Sequence, residues 1–153
     1  MAGDKLLDRI TPLPASPHGE AAHAALAEAA ERAGSQDRLD AILSGATARE
    51  FVASSLGDCP FLLDLALKDF AGFLDILESN PEAVVRRAIS AAGDGSWLDR
   101  KETMAALRDA RRVVALCLGL ADLGRAIDLE TVTGSLTHFA DAAVNAALRH
   151  ALE

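Results

Sequence analysis

The sequence is poor in aromatic residues, with five phenylalanines, one tryptophan and no tyrosine among 153 residues. Aromatic and β-branched residues are the ones that β-strands favour, whereas alanine, which is abundant here, has the highest helix propensity. No segment of useful length has the pattern of a strand. Since half of the residues are hydrophobic, a substantial core is available. We therefore expect a single all-α domain whose helices approach one another closely.

Cysteine is also scarce. Cys59 and Cys117 form no CxxC pair, and each lies among apolar neighbours. This placement favours buried free thiols in a reducing compartment over a disulfide.

No hydrophobic run approaches the 18 residues of a membrane-spanning helix, and the first residues, MAGDKLLDRITPLP, lack the apolar centre of a signal peptide. A cytoplasmic protein without a membrane partner is expected.

Fifteen basic and 23 acidic side chains give a net charge of −8. Because nucleic-acid binding draws much of its affinity from neutralising phosphates, this charge disfavours a nucleic-acid partner, including the DNA of a helix-turn-helix reader.

Three prolines between residues 12 and 17 predict that residues 1–19 form an extended lead-in, with Leu6, Leu7 and Ile10 docking on the body. Residues 20–153 are expected to form the single helical domain. The pattern predicts helices over 20–33, 35–44, 48–56, 59–68, 69–77, 81–92, 98–123 and from 129 to the chain end. The predicted helix caps are Thr47 (with Glu50 in a capping box), Asp58, Asn80 and Asp128. In the helix over 59–68, Phe61, Leu62, Leu65 and Ala66 are expected to point inward.

The last two helices dominate the pattern, because each carries a long apolar stripe at three- and four-residue steps. In the first the stripe is Met104, Leu107, Ala110, Val114, Cys117, Leu118 and Ala121; in the second it is Leu129, Val132, Leu136, Phe139, Ala140, Ala143, Ala147 and Leu148. Stripes of this length must be buried, and the adjacent helix is the nearest partner. The predicted fold is therefore a compact helical array built on a long C-terminal antiparallel helix hairpin.

Residues for reaction chemistry are not evident. The four histidines are scattered, and the His138–Asp141 pair at i, i+3 is typical of a surface hydrogen bond rather than of a metal site. Gly93-Asp-Gly-Ser96 lacks the Gly-Lys-Ser/Thr of a phosphate loop and reads as a plain turn. We predict no catalytic, cofactor-binding or metal-binding residue.

One basic cluster stands out in this acidic chain. Its members are Arg100, Lys101, Arg108, Arg111 and Arg112, on roughly one side of the long helix. The cluster is either a solvated face with local salt bridges or a docking surface for an acidic partner or an adjoining domain.

Several segments together resemble the bacterial glutamine synthetase adenylyltransferase/adenylyl-removing enzymes, most of all those of alphaproteobacteria. The segments are Cys59-Pro-Phe-Leu62, Lys68-Asp69, Asn80-Pro-Glu-Ala83, the run Leu107–Leu123, Leu129-Glu-Thr-Val-Thr133 and Phe139-Ala-Asp-Ala-Ala143. Cys59 stands where the family has serine, Phe70 where it has proline, and Ala115-Leu116 where many members outside the alphaproteobacteria have Arg-Asp.

The resemblance implies a bifunctional nucleotidyltransferase of nitrogen regulation, whose two modules attach AMP to glutamine synthetase and remove it by phosphorolysis. It implies ATP and magnesium for the parent enzyme, and glutamine synthetase and a PII signalling protein as its partners. In the N-terminal half of that family, helices like these precede a catalytic sheet, and nothing in this chain aligns with the residues of that sheet. The chain is thus expected to be an inactive scaffold fragment preceding the sheet; the alternative is a free-standing helical interaction module.

Overall fold

The computed structural model describes residues 4–94 and 99–152, apart from the side chain of His150. Over these residues the chain is all-α, as predicted, and no strand is found. The helices are α1 Leu6–Arg9, α2 Gly19–Ala33, α3 Gln36–Ile42, α4 Ala46–Asp58, α5 Pro60–Lys68, α6 Phe70–Leu77, α7 Pro81–Gly93, α8 Arg100–Leu123 and α9 Leu129–Ala151. Their bounds agree closely with the predicted ones. The predicted start of α8 at Leu98 lies outside the described residues.

Helix α8 is the central element of the fold. It packs against α5, α6, α7 and α9, and its contact with α7 is the most extensive between any two helices described here. The buried residues of α8 are mainly apolar: Ala110, Val114, Leu116, Cys117, Leu118, Leu120 and Ala121. Helix α7 also packs on α9, so α7, α8 and α9 form one group. Helix α5 packs on α8 as well, and α2 and α4 pack on α5 and extend the core from there.

The lead-in is more ordered than expected, because residues 6–9 form the short helix α1. Leu6 is fully buried, and Leu7 and Ile10 pack against the core, which confirms their predicted docking. The backbone N–H of Leu6 donates to the carbonyl of Ser79 (2.8 Å), and that of Thr11 donates to the carbonyl of Gly124 (2.7 Å). The lead-in is therefore tied both to the turn before α7 and to the link between α8 and α9.

Glycine permits a close approach between two helices, α2 and α4. A Cβ added at Gly57 would lie 2.8 Å from the backbone carbon of His18 and 2.9 Å from the backbone nitrogen of Gly19. Carbon atoms without a bond between them do not approach so closely. The absence of a side chain at Gly57 thus allows the close approach predicted from the small-residue composition.

Two predicted caps are confirmed and two are wrong. Asn80 accepts a hydrogen bond from the backbone of Ala83 (2.8 Å), and Asp128 accepts one from Thr131 (2.7 Å). Thr47 is not a cap, because α4 begins at Ala46, two residues earlier than predicted, with Gly45 at the capping position. Asp58 does not cap α5 because it is the last residue of α4, and its carboxylate accepts a hydrogen bond from the hydroxyl of Ser16.

Helix α8 begins with a capping box that we did not predict from the sequence. The side chain of Asp99 accepts from the backbone of Glu102 (2.8 Å), and the side chain of Glu102 accepts from the backbone of Asp99 (3.0 Å). This reciprocal pair satisfies two backbone donors that the first helical turn leaves without partners.

The two long apolar stripes are only partly buried. In α8 the prediction holds from Ala110 onward, but Met104 is exposed. In α9, Val132, Phe139 and Ala143 are partly buried and Ala146 is buried. Contrary to the prediction, the other members of the stripe are exposed: Leu129, Leu136, Ala140, Ala147 and Leu148. The reason is that α9 packs on α7 as well as on α8, and these contacts cover a different part of its circumference from the one predicted.

Phe61 is a further correction, since its side chain is 56% exposed rather than inward. Leu62, Leu65 and Ala66 are buried as predicted. Because successive helical residues are rotated by about 100°, Phe61 lies at the edge of the arc that these three residues occupy.

None of the described helices is long and apolar enough to cross a membrane.

Candidate functional site

The predicted basic cluster divides into two parts in the structure. Arg108, Arg111 and Arg112 line a groove between α8 and α5. Arg100 lines a separate cavity, which Met104 and Leu107 of α8 form with Ala147 and Ala151 of α9. Lys101 is exposed. The structure thus brings three of the five predicted residues together.

The groove between α5 and α8 is an open trough of about 440 Å³, and we call it the α5–α8 groove. Its lining combines apolar and charged side chains: Phe61, Asp64, Leu65, Lys68, Arg108, Asp109, Arg111, Arg112 and Ala115. Helix α5 contributes four of these residues, none of which was predicted to belong to a site. The signal available in the sequence was the position of Phe61 beside its helix's apolar stripe rather than within it.

Arg112 has a structural role within this groove. Its guanidinium donates to Asp69 (3.2 Å) and lies 3.5 Å from the carboxylate of Asp109. Asp69 in turn caps α6, where its carboxylate accepts a hydrogen bond from the backbone of Gly72 (3.1 Å). Arg112 therefore connects the long helix to the start of α6, and its charge is balanced within the fold.

Arg108 and Arg111 differ from Arg112 because both are exposed. Within residues 4–94 and 99–152, neither guanidinium makes an ion pair or a side-chain hydrogen bond. The other cation of the groove, Lys68, is paired with Asp64 at 2.7 Å. The two arginines are thus the uncompensated charges of the α5–α8 groove.

The second surface feature is an exposed apolar face of α9, formed by Leu129, Leu136, Val144 and Leu148 and called here the α9 apolar face. The exposed fractions of these side chains are 71%, 48%, 57% and 52%. Their spacing of four to eight residues puts them along one side of a 23-residue helix. Single exposed leucines are ordinary, whereas four exposed apolar side chains along one side of a helix form a candidate contact surface.

Two ionisable sites lie partly or fully inside the fold: the half-buried ion pair of Arg9 with Glu82 and the buried thiol of Cys117. Arg9 donates two hydrogen bonds of 2.7 Å to the carboxylate of Glu82 and a third to the carbonyl of Ala126. The hydrogen bonds from Arg9 hold the pKa of Glu82 below its ordinary value. Burial raises the pKa of the Cys117 thiol to about 12, and that thiol donates a long hydrogen bond to the carbonyl of Pro81 (3.6 Å). Both cysteines are free thiols, Cys117 being buried and Cys59 half-buried.

No group of three His, Cys, Asp or Glu side chains within the described ranges could hold a metal ion. The predicted pair His138 and Asp141 is exposed at both positions. Gly93 ends α7 and Asp94 begins a turn, while Gly95 and Ser96 of the predicted turn lie outside the described residues.

The sequence pattern of the glutamate-ammonia ligase adenylyltransferase family matches residues 39–153. Three similar curated proteins are each named bifunctional glutamine synthetase adenylyltransferase/adenylyl-removing enzyme. The protein of Xanthobacter autotrophicus is 38% identical over 84% of this chain, that of Rhizobium meliloti 36% over 95%, and that of Caulobacter vibrioides 34% over 99%. These matches span 13%, 15% and 15% of the length of the respective relatives. No solved structure matches. On this evidence the chain belongs to the glutamate-ammonia ligase adenylyltransferase family.

Proposed function

We propose that this chain is a non-catalytic helical scaffold of an enzyme that adenylylates and deadenylylates glutamine synthetase. In this proposal the chain is the N-terminal helical part, and it supports the nucleotidyltransferase domain that removes AMP. Family membership over residues 39–153 supports the assignment to this enzyme. The matched segment is 13–15% of each relative, so most of a relative's chain lies outside it.

The observation that carries the scaffold role is the α9 apolar face. Fully burying a leucine or valine side chain is worth roughly 1.5–3 kcal/mol, so the remaining exposure of these four side chains represents about 1 kcal/mol each. An adjoining domain that covered them would gain several kcal/mol, enough to fix its position on α9. We infer that the nucleotidyltransferase domain occupies this face.

The same proposal assigns the reactive groups to other parts of the enzyme. ATP and magnesium would be held by the nucleotidyltransferase domains, and glutamine synthetase and a PII signalling protein would be partners of the whole enzyme. The relatives are named for their action on glutamine synthetase, so we take that protein as the enzyme's substrate. The cytoplasm is the compartment that we propose for the enzyme.

The first test is catalytic. The purified 153-residue chain is incubated with adenylylated glutamine synthetase and phosphate, and AMP-containing products are measured. The scaffold role predicts no release above the rate without protein. Phosphate-dependent release by this chain alone would overturn it.

The second test is binding to the part of a relative that the match does not cover. The Rhizobium meliloti protein lacking its matched segment is titrated with this chain by calorimetry. We expect saturable binding that Leu136→Asp with Val144→Asp weakens at least about tenfold. The matched control is Ala21→Asp with Ala24→Asp, which puts the same charges on exposed positions of α2 and should leave the affinity unchanged. Equal affinity of the two double variants would refute the assignment of the α9 apolar face. Absence of binding would favour a free-standing interaction module.

A further inference from the structure

The α5–α8 groove has features that the scaffold role does not require. It lies between α5 and α8, whereas the α9 apolar face belongs to a helix that does not line it. It places an exposed aromatic ring, Phe61, in the same trough as two uncompensated arginines, Arg108 and Arg111. This combination calls for a ligand with both an apolar group and negative charge.

The charge of the groove is opposite to that of the chain. Four of its lining side chains are cationic and two are acidic, in a protein with a net charge of −8. Internal pairing accounts for Lys68 with Asp64 and for Arg112 with Asp69 and Asp109. The excess positive charge therefore lies on Arg108 and Arg111. Arginine is also the cation that best matches the planar geometry of a carboxylate.

The apolar part of the groove has a defined place. Leu65 and Ala115 line it together with the exposed ring of Phe61, and Leu65 itself is buried. An aromatic side chain of a ligand could pack on Phe61, and aromatic pairs add about 0.5–1.5 kcal/mol beyond the area that they bury. Flanking carboxylates would reach the two arginines on α8, which are three residues apart and so project from adjacent turns on the same side of that helix.

We propose that the α5–α8 groove is a docking site for an acidic protein segment that carries an aromatic residue. Phe61 and Leu65 receive the aromatic side chain, and Arg108 and Arg111 bind the flanking carboxylates. Arg112 holds α8 against the cap of α6 and so fixes the position of the two binding arginines. The proposal concerns a surface distinct from the α9 apolar face and does not rest on the proposed scaffold role.

The experiment uses the full 153-residue chain and a fluorescent peptide with a central phenylalanine flanked on each side by three acidic residues. Anisotropy titrations are compared with two control peptides, one with alanine for phenylalanine and one with glutamine for every acidic residue. We expect saturable binding by the first peptide, and binding at least about tenfold weaker for each control.

Matched variants place the binding on the groove. Arg108→Gln with Arg111→Gln, and separately Phe61→Ala, should each weaken binding at least about tenfold. Arg100→Gln with Lys101→Gln removes the same charge from the same helix outside the groove and should change the affinity less than about twofold. Circular dichroism checks that each variant retains its helical content.

Three results would overturn the proposal. Equal losses from the two double variants would show that the peptide responds to the general charge of α8. Undiminished binding of the alanine peptide would remove the aromatic requirement. No saturable binding below about 1 mM would show that the groove does not take such a segment. None of these results bears on the α9 apolar face, which the groove variants leave intact.

Discussion

At the scale of single residues, the two cysteines show how burial determines reactivity. Only the thiolate reacts readily with disulfide reagents. The pKa of Cys117 is raised to about 12 chiefly because its thiol is buried, whereas Cys59, between α4 and α5, is only half-buried. The two thiols should therefore behave differently even though neither is in a disulfide.

We predict that an aromatic disulfide reagent at pH 8 modifies one thiol per folded chain quickly and the second only after denaturation. The control is Cys59→Ser, which should abolish the fast reaction. Two fast thiols in the native chain would contradict the buried environment of Cys117.

Two glycines, one just after a helix and one within a helix, should respond in opposite ways to substitution by alanine. Gly34 follows α2 with a φ of 64°, where a residue with a Cβ is strained, while Gly134 lies inside α9 and an added Cβ would meet nothing within 4 Å. Gly34→Ala should lower the free energy of unfolding by about 1 kcal/mol, and Gly134→Ala should raise it by roughly the same amount. Urea denaturation of both variants measures the difference, and changes of the same sign would contradict the assigned conformations.

At the scale of helices, the ion pair between Arg9 and Glu82 joins the lead-in to the first turn of α7. The folded-state pKa of Glu82 is lowered, chiefly by the hydrogen bonds from Arg9. A lowered pKa contributes stability that is present above the unfolded value of about 4.3 and is lost as the pH falls through the folded value. The pair should therefore stabilise the fold at neutral pH and contribute nothing in strong acid.

Glu82→Gln is predicted to lower the free energy of unfolding by about 1 kcal/mol at pH 7, with the difference from the wild-type chain shrinking toward zero as the pH falls below the lowered folded-state pKa of Glu82. Glu20→Gln is the matched control, since Glu20 also lies in a first helical turn but makes no ion pair among the described side chains. Denaturation at a series of pH values measures both. A deficit of Glu82→Gln that persists unchanged in acid would contradict the ion-pair account.

Helix bounds were largely predictable because their signals are local. Asn80-Pro81 and Asp128 each combine a capping side chain with the start of a periodic pattern, and both begin helices as predicted. Periodicity could not show which part of the α9 stripe is covered, because that depends on α7, a helix that precedes α8 in the chain. Thus Val132 and Phe139 pack as expected while Leu129 and Leu136 do not.

Of the two helices that line the α5–α8 groove, the sequence predicted the contribution of only one. Arg108, Arg111 and Arg112 share one side of α8, and the periodicity of a helix is enough to group them. Their neighbours on α5, including Phe61 and Lys68, come from a distant part of the sequence, and only tertiary packing brings the two helices together. Likewise, the ion pair that engages Arg112 with Asp69 joins residues 43 positions apart.

At the scale of the whole molecule, two different surfaces remain available for partners. The α9 apolar face fits a permanent, largely hydrophobic contact, and the α5–α8 groove fits a smaller charged one. On the proposed scaffold role, the α9 apolar face is uncovered when the chain is studied alone.

We therefore predict that the isolated chain self-associates with increasing concentration, because an exposed apolar face drives association. Leu136→Asp with Val144→Asp should return it to a monomer, whereas Ala21→Asp with Ala24→Asp should not. Light scattering over a concentration series measures this. A wild-type chain that stays monomeric at high concentration would count against the α9 apolar face as a contact surface.

The central claim is that this chain supports a catalytic domain through α9. The most direct measurement is the rate of AMP release from adenylylated glutamine synthetase by a chimera in which this chain replaces the matched segment of the Rhizobium meliloti protein. The account predicts that the chimera is active and that Leu136→Asp with Val144→Asp lowers its rate at least about tenfold. Equal rates for the two chimeras would contradict it.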